Sequence, residues 1–374
     1  MPTAYDIEGS QSSLLSYWYR QSFYANGRHF VFVSDGTDGV YYHSTDGSTW
    51  SGKVTWESGL NSAGTSQFIF DGTYFHYVIL ASADTTIYYR RGTPNSDGSI
   101  TWSAAEQSIA TTGTNGTNAD IAIDTNGIAY ITYRLVIGGN SYPHVTRNDN
   151  TDGTWSTTAG YPLALYSTTS DVTWSTKIFA RTGGKMCAVY GRTGADLRYS
   201  TYNGSSWNVE GEITATGFLS TGNRWIGTSD GDTIHIVYDN QVSTYFKYHA
   251  ILETTTWTLT NIGDTGVSGY NYLGTITVDT ATHDVYYLLA TYNAANHIHY
   301  KKWTSAGGWD AAWTDWITEA AAIPATRVQS FRTSHSGYIG ITWLLGAGAP
   351  YDLRTALLLA PSTASTIYIG YLKF

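Results

Sequence analysis

Cysteine is almost missing from this chain: Cys187 is the single one in 374 residues. One thiol cannot form an intrachain disulfide or build a cysteine metal site. It sits in the apolar run Lys185-Met186-Cys187-Ala188-Val189-Tyr190 and reads as an inert core thiol. Charge is scarce too. Asp, Glu, Lys and Arg make up 13% of the residues, and the net charge is −9. A partner for nucleic acid or anionic membranes needs a basic stripe, and Arg90-Arg91 and Lys301-Lys302 are only isolated pairs. No nucleic-acid partner is expected. Long hydrophobic runs are missing as well, so no membrane insertion is expected. The opening residues Met1-Pro2-Thr3-Ala4-Tyr5-Asp6-Ile7-Glu8 have neither the basic nor the apolar region of a secretory signal. The expectation is a chain made in the cytoplasm that would leave a cell by another route, such as lysis.

What the chain does have is 39 Gly, 31 Tyr and 14 Trp in a sequence that is 42% hydrophobic. Abundant Gly, Ser, Thr and Tyr with few Lys and Glu favour strand over helix. One stretch sets the pattern: Tyr41-Tyr42-His43-Ser44-Thr45-Asp46-Gly47-Ser48-Thr49-Trp50. It reads as an aromatic strand, an Asp-Gly turn and a second strand opening on Trp. The same phrase returns at Trp102, Trp155, Trp207, Trp257 and Trp309, with spacings of 52, 53, 52, 50 and 52 residues. A period near 50 marks a repeat fold whose unit is a four-stranded propeller blade.

A second register supports the first. Turns upstream of each Trp fall at Asn26-Gly27, Asp71-Gly72, Asn126-Gly127, Gly183-Gly184, Asp230-Gly231 and Ser336-Gly337, and one unit carries the longer Thr280–Asp284. Seven turns for six Trp copies predict an all-β, seven-bladed β-propeller of four-stranded antiparallel blades, one domain over 1–374. Each unit then has strands A to D. Strand B is continuously apolar, as in Phe30–Val33 and Ile234–Tyr238, which requires burial on both faces. Strand C alternates, and strand D, read as starting at the Trp, is the polar outer strand. Tyr5–Glu8 is expected as strand D of the last blade, closing the ring beside C-terminal strands. Thr366–Phe374 is read as strand C, with Asp352–Leu359 as an insert or as strand C itself.

The hairpin phrase also carries a resemblance. Ser44-x-Asp46-Gly47-x-Thr49-Trp50, Asn95-x-Asp97-Gly98-x-x-x-Trp102 and Asn150-x-Asp152-Gly153-Thr154-Trp155 resemble the Asp-box of sialidase-like (BNR-repeat) propellers, with Gly directly after Asp instead of one place later. In that family the boxes are structural and lie opposite the active site, which makes Asp46, Asp97 and Asp152 folding residues. The resemblance implies a glycosidase with three substrate-binding Arg, a Tyr/Glu nucleophile pair and an Asp acid/base. Arg20, Arg224 and Arg327 are the candidates for the arginines, although Tyr17-Trp18-Tyr19-Arg20-Gln21 departs from the family's first-Arg motif.

Metal and phosphate chemistry find little support. His43, His144, His249, His297 and His299 all fall in strand C, where blades diverge, so no metal site is expected. No cofactor is expected either, since no Gly-rich phosphate loop opens a helix. The face opposite the Asp turns, built from B–C and D–A loops, mixes aromatic and planar polar residues, as sugar recognition requires. The ligand-binding candidates there are Trp18, Trp174, Arg192, Trp225, Asp239, Asn240, Tyr270 and Asn293. Three readings compete. The first is a non-enzymatic propeller for attachment or assembly, such as a virion component (a phage tail or head appendage) that meets a glycan, a cell-surface receptor or other virion proteins. The second is a sialidase-like glycoside hydrolase. The third is a soluble lectin or interaction scaffold, cytoplasmic or non-classically secreted. Polar outer strands are compatible with a homo-oligomer.

Overall fold

A computed structural model of the chain describes residues 4–11, 21–60, 65–80, 86–111, 114–166, 175–192, 196–214, 225–239, 246–253, 255–264, 274–290, 297–320, 323, 328–335, 337–346 and 351–359. They form seven antiparallel sheets, each one blade of a propeller. From the inner strand A outward to D, the first blade runs Ser22–Ala25, Arg28–Ser34, Gly39–Ser44 and Val54–Glu57. The second runs Thr65–Phe70, Phe75–Leu80, Thr86–Pro94 and Gln107–Ala110, with Ile100–Trp102 as a short extra strand. The third is Thr114–Ile123, Ala129–Ile137, Asn140–Arg147 and Leu163–Ala164, and the fourth Thr176–Arg181, Lys185–Arg192, Asp196–Tyr202 and Gly211–Thr214. The fifth is Trp225–Asp230, Thr233–Asp239, Phe246–Glu253 and Thr256–Asp264. The sixth is Thr275–Val278, Val285–Ala290, His297–Thr304 and Thr314–Thr318, with Gly308–Trp309 beside it.

The last blade settles the closure. Val328–Ser330, Tyr338–Leu345 and Tyr351–Leu359 are its strands A to C, and Tyr5–Gln11 is strand D. Tyr5 pairs with Thr355 and Asp6 with Arg354, whose Nε lies 2.6 Å from Asp6 Oδ1. The N-terminal strand therefore closes the ring as expected. Strand C is Tyr351–Leu359, however, and the Thr366–Phe374 stretch lies outside the described residues.

Burial follows strand order. Strands B of the second and sixth blades are buried at every position, because a neighbouring blade covers each face. Strand C alternates, as in Thr86–Pro94, and strand D is the most exposed. The apolar residues fall into seven clusters, one between each pair of adjacent blades. Cys187 is fully buried in the cluster between the fourth and fifth blades, and burial pushes its thiol up to about 12. The helix content among the described residues is one 3-10 turn, Thr182–Gly184.

The repeated hairpin is the joint between blades. Asp46 Oδ1 accepts the backbone N–H groups of Ser48 and Thr49, both at 2.8 Å, and the Ser44 hydroxyl at 3.0 Å. Gly47 takes φ +72°, and a Cβ there would lie 2.8 Å from Leu357 of the last blade. Asp97 and Asp152 cap their turns in the same way, through Ser99 and Thr154. Each Trp then drops into the interface with the preceding blade: Trp50, Trp102, Trp155, Trp207, Trp257 and Trp309 pack against six of the seven clusters. The seventh cluster is filled by Trp316 and Trp343 instead. Strand D, expected to start at the Trp, is interrupted there. In the second and sixth blades a short strand ending in the Trp pairs with strand C, and in all of these blades but the fifth the longer outer run begins four to eight residues after the Trp.

Candidate functional site

Strands A of successive blades touch one another around the axis, so the axis is where residues from distant parts of the chain meet. Its lining is polar and paired. Gln21 accepts from Gln329 Nε2 at 3.1 Å, and the hydroxyls of Thr275 and Ser330 are 2.7 Å apart. Asp120 of the third blade is 2% exposed. Its Oδ2 accepts the Ile178 N–H at 2.9 Å, and its Oδ1 accepts from Arg332 Nη2 at 3.1 Å. Arg332 comes from the far side of the ring, just beyond strand A of the last blade. Its segment leans onto two other blades: the Arg332 carbonyl accepts the Thr228 hydroxyl at 3.1 Å, and Ser334 N–H donates to Val278 O at 2.8 Å. Blades three, five, six and seven are thus tied across the axis. A partly buried pair of this kind is costly to break, because removing one partner leaves the other's charge uncompensated.

On the side of the A–B turns, which is the face of the Asp turns and not the B–C and D–A face the sequence pointed to, the inner strands of blades seven, one and two enclose a cavity of about 340 Å³ beside the axis, within the range of small-ligand sites. Aromatic rings form its walls. Tyr24 stacks on His335 at 3.6 Å between centroids, and Phe23 stacks on Phe70 at 5.4 Å. Arg332, Asp71 and Ser334 supply the polar groups. Burial works against the Asp71 carboxylate, but bonds from His76 at 3.0 Å and from the Tyr74 and Thr73 amides outweigh it and keep its carboxyl below the usual range. Burial lowers His335, and it drives His29 behind it down to about 4, with the neighbouring His335 adding to the shift. Both imidazoles are neutral at neutral pH. Flat apolar faces beside fixed donors and acceptors suit a polyhydroxylated ring.

No protein-family model matches the sequence, and comparison with curated proteins finds no relative. Solved structures do match. A polysaccharide lyase of family PL25, an ulvan lyase bound to -[GlcA(1-4)Rha3S]-, superposes with a TM-score of 0.64 at 12% identity over 96% of both chains. The polysaccharide lyase Uly1 matches with a TM-score of 0.56 at 10% identity, over 95% of this chain and 94% of that one. AofleA from Arthrobotrys oligospora matches at 0.53 and 12% identity, over 84% and 89% of the two chains. At these identities the likeness shows the propeller fold alone.

Of the residues expected to bind ligand, Arg192, Trp225 and Asp239 are described. Trp18, Trp174, Asn240, Tyr270, Asn293 and the three arginines Arg20, Arg224 and Arg327 lie outside the described residues. Trp225 is 1% exposed, packed in the core between blades four and five. Asp239 is buried against the Lys247 ammonium. Arg192 lies 3.3 Å from Glu210 and over the ring of Tyr166. The structure therefore does not bring these three together. Arg332 and Asp71, which the sequence did not single out for the site, stand on the cavity wall instead.

Two Tyr–Glu contacts occur away from the axis. The Tyr190 hydroxyl donates to Glu210 at 2.8 Å, with Arg198 facing Tyr190 across the strands. In the second blade Tyr77 donates to Glu106 at 2.7 Å and to Glu57 at 3.3 Å, with Arg90 facing Tyr77. Glu210 and Glu106 immediately precede strand D of their blades and Glu57 ends strand D of the first, so both contacts sit toward the outer part of a blade. The same constellation thus recurs at equivalent places in two blades. Burial, with Glu106 alongside, raises the Glu57 carboxyl.

Proposed function

We propose that this propeller is a non-enzymatic carbohydrate-binding protein for attachment or assembly, and that its sugar sits in the axial cavity. The supporting observation is the wall itself, where the Tyr24–His335 stack and Phe70 face Arg332, Asp71 and Ser334 around about 340 Å³. The two polysaccharide lyases of like fold, one of them bound to a uronate-containing saccharide, are consistent with a glycan ligand. We place it on a virion, as a tail or head appendage meeting a cell-surface glycan, a receptor or a neighbouring virion protein. The low charge and the Tyr- and Thr-rich composition support that context, and a homo-oligomer would multiply weak sites into a firm hold. Mass spectrometry of purified particles tests the location.

A glycan array followed by calorimetry with Tyr24→Ala and Phe70→Ala tests the site. Each variant is expected to weaken binding about tenfold, since an aromatic face against a sugar contributes on the order of 1 kcal/mol or more. An array without a single bound glycan would remove the reading.

A second reading, a sialidase-like glycosidase, rests on the Tyr190–Glu210 contact beside Arg192 and Arg198. Turnover of a fluorogenic sialoside that Glu210→Gln abolishes would favour it. Turnover that survives the change, or no turnover at all, would leave it without support.

A further inference from the structure

The A–B hairpin of the fourth blade carries an arrangement that the fold does not need. Arg181 and Lys185 face each other directly across it. Like charges opposite one another on a hairpin are destabilising. Arg181 is partly compensated: its Nε donates to the Asp232 carbonyl at 3.1 Å and lies 3.8 Å from Asp232 Oδ1. Bonding from the Thr182 hydroxyl, opposed by burial and helped by the Thr182 N–H at 2.9 Å and the Arg181 and Lys185 charges, holds that carboxyl below the usual range. The Lys185 ammonium makes no hydrogen bond and no ion pair among the described residues. Both cations thus stand near the Asp232 carboxylate.

Both cations line a cleft of about 370 Å³ between the fourth and fifth blades. Tyr199 supplies an aromatic wall, fixed edge-on against Trp257 at 5.4 Å, and Asn203 and Asn208 supply planar amides. The comparable cleft between the second and third blades, about 330 Å³, has the opposite balance: Asp71 and Asp124 against Arg91. Arg91 there is already committed, bonding Ser103 Oγ at 3.1 Å and stacking on Tyr74 at 3.9 Å. The positive cleft is therefore a local feature in a protein of net charge −9.

We infer that the cleft between blades four and five binds an anionic sugar residue, carrying one carboxylate or sulfate ester, at a site separate from the axial cavity. Lys185 supplies the free charge, and Arg181 supplies the oriented donors. Tyr199 covers the ring's apolar face, and the two amides meet its hydroxyls. A negative charge on the ligand relieves the like-charge pair across the hairpin.

Calorimetry on the whole protein with three hexasaccharides tests this: oligogalacturonate, a sulfated galactan and the neutral galactan. The two anionic sugars are expected to bind at least tenfold more tightly than the neutral one, and less so as salt rises. Lys185→Gln is expected to reduce anionic binding about tenfold, with Lys185→Arg restoring most of it. Neutral-sugar binding is expected to stay as it was, and the melting temperature to hold or rise slightly. Equal binding of charged and neutral sugars, unchanged anionic binding in Lys185→Gln, or inorganic phosphate competing as well as the oligosaccharide would each overturn the inference. A loss of binding confined to Tyr24→Ala would leave the axial reading standing while this one fell. The reverse pattern would do the opposite.

Discussion

Acid should loosen this propeller through its buried histidines. His235 and His249 lie between the fifth and sixth blades, 2% and 0% exposed. Trp309 Nε1 donates to His249 Nδ1 at 3.1 Å, and His249 Nε2 is 3.1 Å from His235 Nδ1. An indole N–H can only donate, so His249 must hold its proton on Nε2 and pass the bond on to His235. A second proton on either ring turns an acceptor into a donor that faces another donor. Burial accordingly pushes His235 down to about 4 and His249 well below its ordinary value, with His235 alongside adding to the latter. His29 is likewise near 4, through burial and His335, against a weaker pull from Asp46.

The sign follows from proton counting. Between about pH 6.5 and 4 the unfolded chain binds protons that the folded chain refuses, so stability rises with pH across that window. Stability is full above pH 6.5 and falls as the pH drops toward 4. Going from pH 7 to 5 costs about 2 kcal/mol for His235 and about 2 kcal/mol for His29. That is a large share of a typical stability of roughly 5–15 kcal/mol. Urea titrations at pH 7, 6 and 5 measure the loss. His235→Asn keeps an acceptor for His249 Nε2–H and should remove about 2 kcal/mol of the acid sensitivity. A stability that stays flat from pH 7 to 5, or imidazole proton shifts titrating near 6.5, would refute the reasoning.

Two further outcomes test the joints and the axis. Gly98→Ala places a Cβ at φ +92° within 2.4 Å of the His43 ring, so it should destabilise by about 2–4 kcal/mol in chemical denaturation, whereas an exposed change should cost under about 0.5 kcal/mol. Asp120→Asn leaves Arg332 without its carboxylate at the axis, and a loss of about 3–5 kcal/mol is expected by the same measurement; a neutral result would mean the cross-axis pair is dispensable.

Much of the architecture is readable from the chain because the repeat leaves the same marks in each unit. Trp at intervals of 50–53 residues sets the period, the seven A–B turns count the blades, and unbroken apolar runs locate strand B, since only a strand covered on both faces needs them. The start of strand D is not readable. Its pairing breaks after the Trp, and nothing in the sequence marks where the longer run resumes. Trp225 looks like a site aromatic at the head of a strand A, yet the alternation that decides which way a strand residue points turns it into the core. Arg332 lies at the end of its strand A, where nothing in one sequence shows that the segment will lean across two blades to reach Asp120. Lys185 was legible in principle: a basic residue on either side of the Gly183-Gly184 turn is already a like-charge pair.

The first strand of the chain is the last to find its place. Tyr5–Gln11 can pair only with Tyr351–Leu359, more than three hundred residues downstream. During synthesis the earlier sheets must wait with exposed flanks while that partner is made, and sealing the ring brings a contact of very high sequence separation. The circle then resists stepwise opening, because peeling any one blade means parting it from two neighbours at once. Slow assembly and slow disassembly would come from the same seam.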